Sequence, residues 1–288
     1  MRNKISLLIS GKLGFNLLVY LFEVSEIKLI ATDKSSIQII NFAKENNIKL
    51  FVGNPRKGKL TSFINEFDCE ILLSINYLFL IEMDIIKRFK FPINFHGSLL
   101  PKYRGRTPHV WAIINNEIET GITAHFIDEG CDTGDIILQQ VINITENDTG
   151  FTILEKYFLA YPNLVKKVLE LIENKSFKRI KQNNKIATIY GKRTPDDGHI
   201  NWQWQKERIR NWVRAQAFPY PGAFAFYENS KVIIDKVSIC EVGYNNTVPN
   251  GTILQVKPYL VIKTSNGLLK IDLIRENKLK FIQNKVLK

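Results

Sequence analysis

Three short apolar runs, at residues 5–9, 27–32 and 48–52, are separated by amphipathic stretches at 15–22 and 36–45, and this spacing leaves few folds open. The alternation predicts strands joined by helices, hence a parallel sheet covered by helices on both faces. Further strand-like runs follow at 70–75, 91–95, 121–127 and 135–142. A helix is expected from Pro108 through Ile114, because proline suits a first helical turn. Apolar residues at helical spacing through 150–174 predict a long packing helix, with a bend expected at Pro162. The first turn, Ser10-Gly11-Lys12-Leu13-Gly14, lacks the Gly-x-Gly-x-x-Gly pattern, and no acidic residue ends the second strand in the expected way, which argues against a dinucleotide site. Lys12 either meets a phosphate at the helix start or is simply solvated.

At 288 residues and 45% hydrophobic content the chain can build two cores. The run at 5–9 follows Arg2 and Lys4 but is only strand-length and lacks a small-x-small cleavage site, so it reads as a buried strand rather than a signal peptide. No apolar segment approaches the ~20 residues needed to span a bilayer. No membrane insertion and a cytoplasmic location are therefore expected. Cys69, Cys131 and Cys240 are odd in number and far apart, against a disulfide framework or a cysteine-rich zinc site. The formal charge of +12 points to anionic partners, either nucleic acid or phosphorylated small molecules, unless it is lysine scattered over solvated faces.

Asn94 and His96 sit two apart at the end of an apolar run, and a strand repeats every second residue, so both are expected to project the same way. The chain then enters Gly97-Ser98-Leu99-Leu100-Pro101-Lys102-Tyr103-Arg104-Gly105-Arg106, a composition suited to a loop that faces a ligand. An acidic loop follows: Asp128, Glu129, Gly130, Cys131, Asp132, Thr133, Gly134, Asp135. It is not a calcium loop, since Gly130 stands at a ligand position, Thr133 replaces the required glycine and the terminal glutamate is missing. His109, His125 and His199 have no metal-ligand spacing and read as structural or exposed. No metal is expected.

Asn94-x-His96-x-Ser98-Leu99-Leu100-Pro101, the basic glycine-containing loop and Asp128-x-Gly130-x-Asp132-x-Gly134 together resemble the N10-formyltetrahydrofolate-dependent formyltransferases. The resemblance implies a Rossmann-like parallel-sheet catalytic domain with a smaller C-terminal β domain of OB-like type, and N10-formyltetrahydrofolate as co-substrate. Moving a formyl group from a tertiary nitrogen to an amine passes through a tetrahedral oxyanion. By resemblance, Asn94 supplies an amide donor to that oxyanion, His96 moves protons, and Asp132 holds His96 protonated or relays a proton through water. Leu78, Phe79 and Leu80 inherit the wall that recognises the pterin; Arg106 and the acidic loop Asp128, Glu129, Gly130, Cys131 and Asp132 fall on the folate side. Ser98, Lys12, Lys102 and Arg104 are substrate-side candidates. For Lys102, Arg104 and Arg106 the alternatives are a solvated loop, the folate's glutamate tail, or a diphosphate.

The polar stretch 183–205 reads as a linker between a catalytic domain at 1–182 and a β domain at 206–288. Within this half, Arg193-Thr194-Pro195-Asp196-Asp197-Gly198, Trp202-x-Trp204, Asn211-x-Val213-Arg214-Ala215 and Pro219-Tyr220-Pro221-Gly222-Ala223-Phe224 are similar to the branch of the family that formylates nucleotide-linked amino sugars, such as the UDP-4-amino-4-deoxy-L-arabinose formyltransferase. By motif position Arg193 is expected near the sugar nucleotide. Tyr220, Trp202 and Trp204 are either core aromatics or base-stacking residues. The expectation is therefore an N-formyltransferase acting on a UDP-, dTDP- or GDP-linked amino sugar for surface polysaccharide, and a homodimer. Its alternatives are methionyl-tRNA formylation and a non-catalytic folate or nucleotide binding module.

Overall fold

The computed structural model describes residues 2–64, 68–244, 247–276 and 279–288. In chain order the first elements are β1 (Asn3–Ile9), α1 (Gly11–Val24), β2 (Ser25–Thr32), α2 (Ile37–Glu45), β3 (Leu50–Val52), α3 (Lys59–Phe63), β4 (Ile71–Ile75), α4 (Met83–Ile86) and β5 (Phe91–His96). They are followed by β6 (Arg104–Gly105), α5 (Pro108–Ile114), β7 (Glu119–Phe126), β8 (Ile136–Asn143), α6 (Gly150–Glu173) and β9 (Ile189–Tyr190). The last are α7 (Lys206–Ala215), β10 (Ala223–Tyr227), β11 (Ser230–Cys240), β12 (Ile253–Gln255), β13 (Leu260–Thr264) and β14 (Gly267–Ile274). The chain divides into two compact units: Met1–Gly105 with Gly121–Ile142 and Lys156–Tyr190, and Arg106–Thr120 with Asn143–Glu155 and Gly191–Lys288.

In the first unit seven of the described strands form one sheet in the order β3-β2-β1-β4-β5-β7-β8. Its strands are nearly continuous apolar runs because both faces are covered: Ile5, Leu7, Leu8 and Ile9 of β1 are all fully buried. Leu13, Leu17, Leu18 and Leu21 give α1 one buried stripe at helical spacing. Five strands run parallel through the pairs β1/β2, β1/β4, β2/β3 and β4/β5. The sheet is nevertheless mixed, because β7 runs antiparallel to β5. A strand buried on both faces carries no sign of its direction, so an apolar run alone could not have revealed this reversal. The reversal sets Asn94 opposite His125 and His96 opposite Thr123.

Asp33 directly follows β2 and is buried. Its carboxylate accepts the Ser35 N–H at 2.8 Å, the Ser36 hydroxyl at 2.6 Å and the Ser35 hydroxyl. Burial works to raise this carboxyl, but those bonds outweigh it and hold the group at about 2. An acid so engaged is a turn anchor rather than the open ribose acceptor of a dinucleotide site.

The second unit contains a five-stranded antiparallel sheet in the order β10-β11-β14-β13-β12. Arg275 clamps Asp235 across it, Nη2 to Oδ1 at 2.6 Å and Nε to Oδ2 at 2.8 Å, in the paired geometry that suits guanidinium and carboxylate. On α7, Arg214 ties in the segment 143–155 by donating Nη1 to the Thr145 and Asp148 carbonyls at 2.9 and 2.8 Å. The polar stretch 183–205 is ordered: it holds β9, short 3-10 turns at Asn184–Ile186 and Pro195–Gly198, and a capping box between Thr194 and Asp197. Residues up to Tyr190 belong to the first unit and those from Gly191 to the second. Among the described residues no helix is long and apolar enough to cross a membrane.

Candidate active site

β5 carries Asn94 and His96 to the carboxyl end of the sheet, where open α/β folds bind their ligands. The loop between β7 and β8 brings Asp132 to them from 38 residues away. Asn94 Nδ2 donates to Asp132 Oδ1 at 3.3 Å, and His96 Nδ1 lies 3.5 Å from Asp132 Oδ2. The amide, the imidazole and the carboxylate named from the sequence therefore meet at one point.

Backbone geometry makes this possible. Asp132 adopts the left-handed conformation at φ 55°, which costs a non-glycine residue roughly 1 kcal/mol and must be held by its surroundings. Holding it are the Gly105 N–H, which donates to Asp132 Oδ2 at 2.9 Å, and Gln182 Nε2, which donates to the Asp132 and Gly134 carbonyls at 2.9 and 2.7 Å. A Cβ at Gly134 would lie 1.8 Å from the Phe126 carbonyl oxygen, so the loop returns to β7 only through a glycine. Asp128 closes the same loop by accepting the Gly130 N–H at 3.1 Å and the Thr133 hydroxyl at 2.6 Å. The Cys131 thiol is exposed and donates to Asp132 Oδ2 at 3.5 Å, while Glu129 is exposed.

The protonation pattern follows from partners. His96 Nε2 lies 2.7 Å from the Tyr103 carbonyl, an obligate acceptor, so Nε2 carries a hydrogen and Nδ1 faces Asp132. Burial pushes the imidazole toward its neutral form, and Asp132 offsets only part of this. The lowered pKa favours neutral His96, with a lone pair on Nδ1. Burial likewise works to raise the Asp132 carboxyl, but His96 and His125, through the positive charge each carries when protonated, and the Gly105 N–H prevail and hold it well below the usual carboxylate range.

His125, set aside in the sequence as structural or exposed, belongs to this cluster. It is buried on β7, its Nε2 3.1 Å from Asn94 Nδ2 and 3.6 Å from Asp132 Oδ1. The signal is one of register: an antiparallel β7 sets His125 directly opposite Asn94, but an apolar run does not show which way its strand points.

The remaining candidates divide. Leu78 and Leu80, in the loop after β4, are 41% and 61% exposed, and Phe79 between them packs edge-on against Tyr77 at 5.5 Å. Lys12 is exposed at the start of α1, its ammonium 5.7 Å from the Phe158 ring centre. Lys102 is exposed. Ser98 is buried and its hydroxyl donates to the Lys102 carbonyl at 2.7 Å, which makes it a brace within its loop. Arg104, expected to face a ligand, is buried instead: its Nε and Nη2 donate to Gln182 Oε1 at 3.2 and 2.7 Å, and Nη2 also donates to Asn184 Oδ1 at 2.8 Å. Because β6 pairs in parallel with β9, alternate loop residues face opposite ways and this arginine turns inward.

Arg106, Arg193 and Tyr220 lie in the second unit. Arg106 is exposed. The Arg193 guanidinium sits 4.3 Å from the Trp212 ring centre and 5.1 Å from that of Trp111, and donates to the Asp197 carbonyl at 2.9 Å and Gln216 Oε1 at 3.2 Å. Tyr220 Oη lies 3.0 Å from His109 Nε2, and burial pushes the two groups apart, His109 down to about 4 and Tyr220 up to about 12. Trp202 is buried and Trp204 packs edge-on against Trp212 at 4.9 Å, so both are packing aromatics. No group of three metal-type ligands occurs among the described residues.

Comparison with known proteins agrees with this geometry. Over 259 residues the chain is 32% identical to the bifunctional polymyxin resistance protein ArnA of Wigglesworthia glossinidia brevipalpis, covering 87% of this chain; the chain spans 39% of the length of that relative. Its fold superposes on WlaRD, a sugar 3N-formyl transferase solved in the presence of dTDP and 5-N-formyl-THF, with TM-score 0.70, 27% identity and coverage of 97% of this chain and 100% of that one. It also superposes on the N-formyltransferase of Helicobacter canadensis in complex with folinic acid and dTDP-3-aminofucose, with TM-score 0.73, 23% identity and coverage of 96% and 100%. That second likeness is one of fold. The formyl transferase model matches residues 30–169 and the formyl transferase C-terminal domain model residues 192–286. With both halves present in order, and with the amide, imidazole and carboxylate gathered at the carboxyl end of β5, the chain belongs to the formyl transferase family.

Proposed function

We propose that this protein transfers the formyl group of N10-formyltetrahydrofolate to the amino group of a nucleotide-diphosphate-linked sugar. The convergence of Asn94, His96 and Asp132 within 3.3 to 3.5 Å carries the reading. Its substrate side is supported by the likeness to WlaRD over the whole chain and to ArnA over most of it. The folate supplies an activated formyl group; the exposed face of Leu78 and Leu80 suits its ring, and Asp128, Glu129, Gly130, Cys131 and Arg106 are its further proposed neighbours. Arg193 and Tyr220 are proposed on the nucleotide-sugar side, with Lys12 and Lys102. Among these, Arg193 already has its guanidinium plane fixed against Trp212.

An amine that attacks a formyl carbon must shed a proton. His96 Nδ1, kept unprotonated by burial, accepts it, and Asp132 at 3.5 Å stabilises the imidazolium so formed; the tetrahedral adduct then collapses by breaking its bond to the folate N10, the same proton passing to N10 as tetrahydrofolate leaves. The Tyr103 carbonyl holds the other ring nitrogen as a donor, so the ring cannot present the wrong tautomer. We further propose a cytoplasmic homodimer.

Incubating the purified protein with the folate donor and UDP-, dTDP- and GDP-linked 3-amino and 4-amino sugars, with mass detection of the formamide, tests this reading. A product from at least one is expected. If none forms and initiator methionyl-tRNA is formylated instead, the sugar assignment is wrong; the charge of +12 makes that the second acceptor to try, and its binding would weaken steeply with salt. Binding of the donor with no turnover on any acceptor would mark a binding module.

A further inference from the structure

The Tyr103 carbonyl that meets His96 Nε2 at 2.7 Å belongs to a residue whose two flanking peptide planes are both held by Thr188. The N–H of Tyr103 donates to Thr188 Oγ1 at 2.8 Å, and the N–H of Arg104 donates to the Thr188 carbonyl at 2.9 Å. The Thr188 N–H in turn donates to the Pro101 carbonyl at 3.4 Å. A peptide unit is planar, so fixing the planes before and after one Cα fixes both of its dihedral angles. Tyr103 needs this, because its φ of 60° lies in the left-handed region, which a non-glycine residue keeps only when its surroundings hold it. Its ring is held as well, stacked on Tyr190 with centroids 5.1 Å apart. In a trans peptide the N–H and C=O point opposite ways, so the unit whose N–H meets Thr188 turns its carbonyl toward His96. Thr188 stands 85 residues from Tyr103 and outside the motifs read from the sequence.

Two acceptors compete for the single hydrogen of a neutral His96 ring: the Tyr103 carbonyl, 2.7 Å from Nε2, and the Asp132 carboxylate, 3.5 Å from Nδ1. The shorter contact is a full hydrogen bond and the longer one lies at the limit, so the hydrogen sits on Nε2 for as long as the carbonyl keeps its place. We propose that Thr188 is the positioning residue for His96: its hydroxyl holds Tyr103 in the left-handed turn, and the carbonyl so placed selects the tautomer whose Nδ1 is free to take a proton. This rests on the proposed formyl transfer and adds what keeps the imidazole ready for it. Without the hydroxyl oxygen the Tyr103 N–H loses its acceptor, the left-handed φ relaxes and the carbonyl withdraws from Nε2. The hydrogen then passes to Nδ1, where the carboxylate accepts it, and a ring in that form cannot take the amine's proton there.

Valine has the shape of threonine without the hydroxyl, and the backbone bonds of residue 188 survive that change. Thr188→Val is expected to lower kcat about three- to tenfold with KM for both substrates little changed, and Thr188→Ser, which keeps the acceptor, to stay within about twofold of wild type. Ring-nitrogen resonances of 15N-histidine-labelled protein, recorded above the pH at which His96 protonates, report the tautomer directly. They should place the hydrogen on Nε2 in the wild type and in Thr188→Ser, and move it toward Nδ1 in Thr188→Val. A wild-type tautomer in Thr188→Val overturns the proposal whatever its kcat, and so does a Thr188→Ser that loses as much activity as Thr188→Val. If the wild type itself forms no formamide, it is the transfer reading that has failed, and the tautomer comparison still decides the role of Thr188. Thermal melting of each variant separates that role from loss of fold, and Thr188→Ala, a second variant without the hydroxyl, replaces Thr188→Val should the latter not fold.

Discussion

The acidic loop around Asp132 and the arginine–tryptophan cluster around Arg193 hold charge in opposite ways. In the first unit a carboxylate is ringed by four polar groups from three separate segments, and its backbone is held in a left-handed turn. In the second unit a guanidinium is held mainly by the faces of Trp212 and Trp111, with two hydrogen bonds at its edge. The first arrangement places titratable groups within reach of one another, as a reaction that moves protons requires. The second fixes a plane and a charge and leaves capacity for another partner, as binding an anion requires.

The sharpest way to break the comparison is Asp132→Asn. Removing the countercharge is expected to lower kcat by roughly 100 to 10,000-fold while folate binding persists, measured by turnover and by titration of the donor. The pH profile supplies the sign. Because His96 must be neutral to accept a proton and burial lowers its pKa, wild-type activity should fall as pH drops through a value below that of a free histidine. Asp132 raises that pKa, so in Asp132→Asn the acid limb should move to still lower pH. An acid limb that stays in place or rises would remove His96 from the base role.

Next in size is Gln182→Leu, which strips partners from two loop carbonyls and from Arg104 in one step. A loss of about 1–3 kcal/mol in stability is expected, read from denaturant unfolding, together with a fall in kcat as the Asp132 turn relaxes. In the second unit, Arg193→Lys keeps the charge but not the plane. It should raise KM for the nucleotide substrate several-fold with kcat little altered, since a stacked guanidinium contributes about 0.5–2 kcal/mol that an ammonium does not reproduce. A kcat effect from Arg193→Lys comparable to that of Asp132→Asn would erase the distinction between the two regions. Smallest is Lys12→Ala: the residue is exposed, and its effect on stability should stay within about 0.5 kcal/mol.

The sequence made the first region legible because its chemistry is carried by backbone-demanding residues at fixed spacing. Asn94, His96, Asp132 and Gly134 each stand where a strand end or a tight turn requires them. What it concealed were properties of strand direction and loop facing. The antiparallel β7 brought His125 into the site, and the β6 to β9 pairing turned Arg104 inward. The fold class was readable from the alternation of short apolar runs with amphipathic stretches, but buried runs look alike in either direction, so the mixed character of the sheet was not. The second region was readable only as far as its residue types, because Trp111, Arg193 and Trp212 are brought together from three distant segments.

Gln182 lies 50 residues from the aspartate whose carbonyl it grips and outside every recognisable motif. Anyone diversifying this protein toward a new acceptor by randomising the motif-bearing loops alone would be reshaping a mould while leaving its clamp set for the old casting. Libraries that co-vary position 182 with those loops sample geometries that motif-by-motif mutagenesis cannot reach.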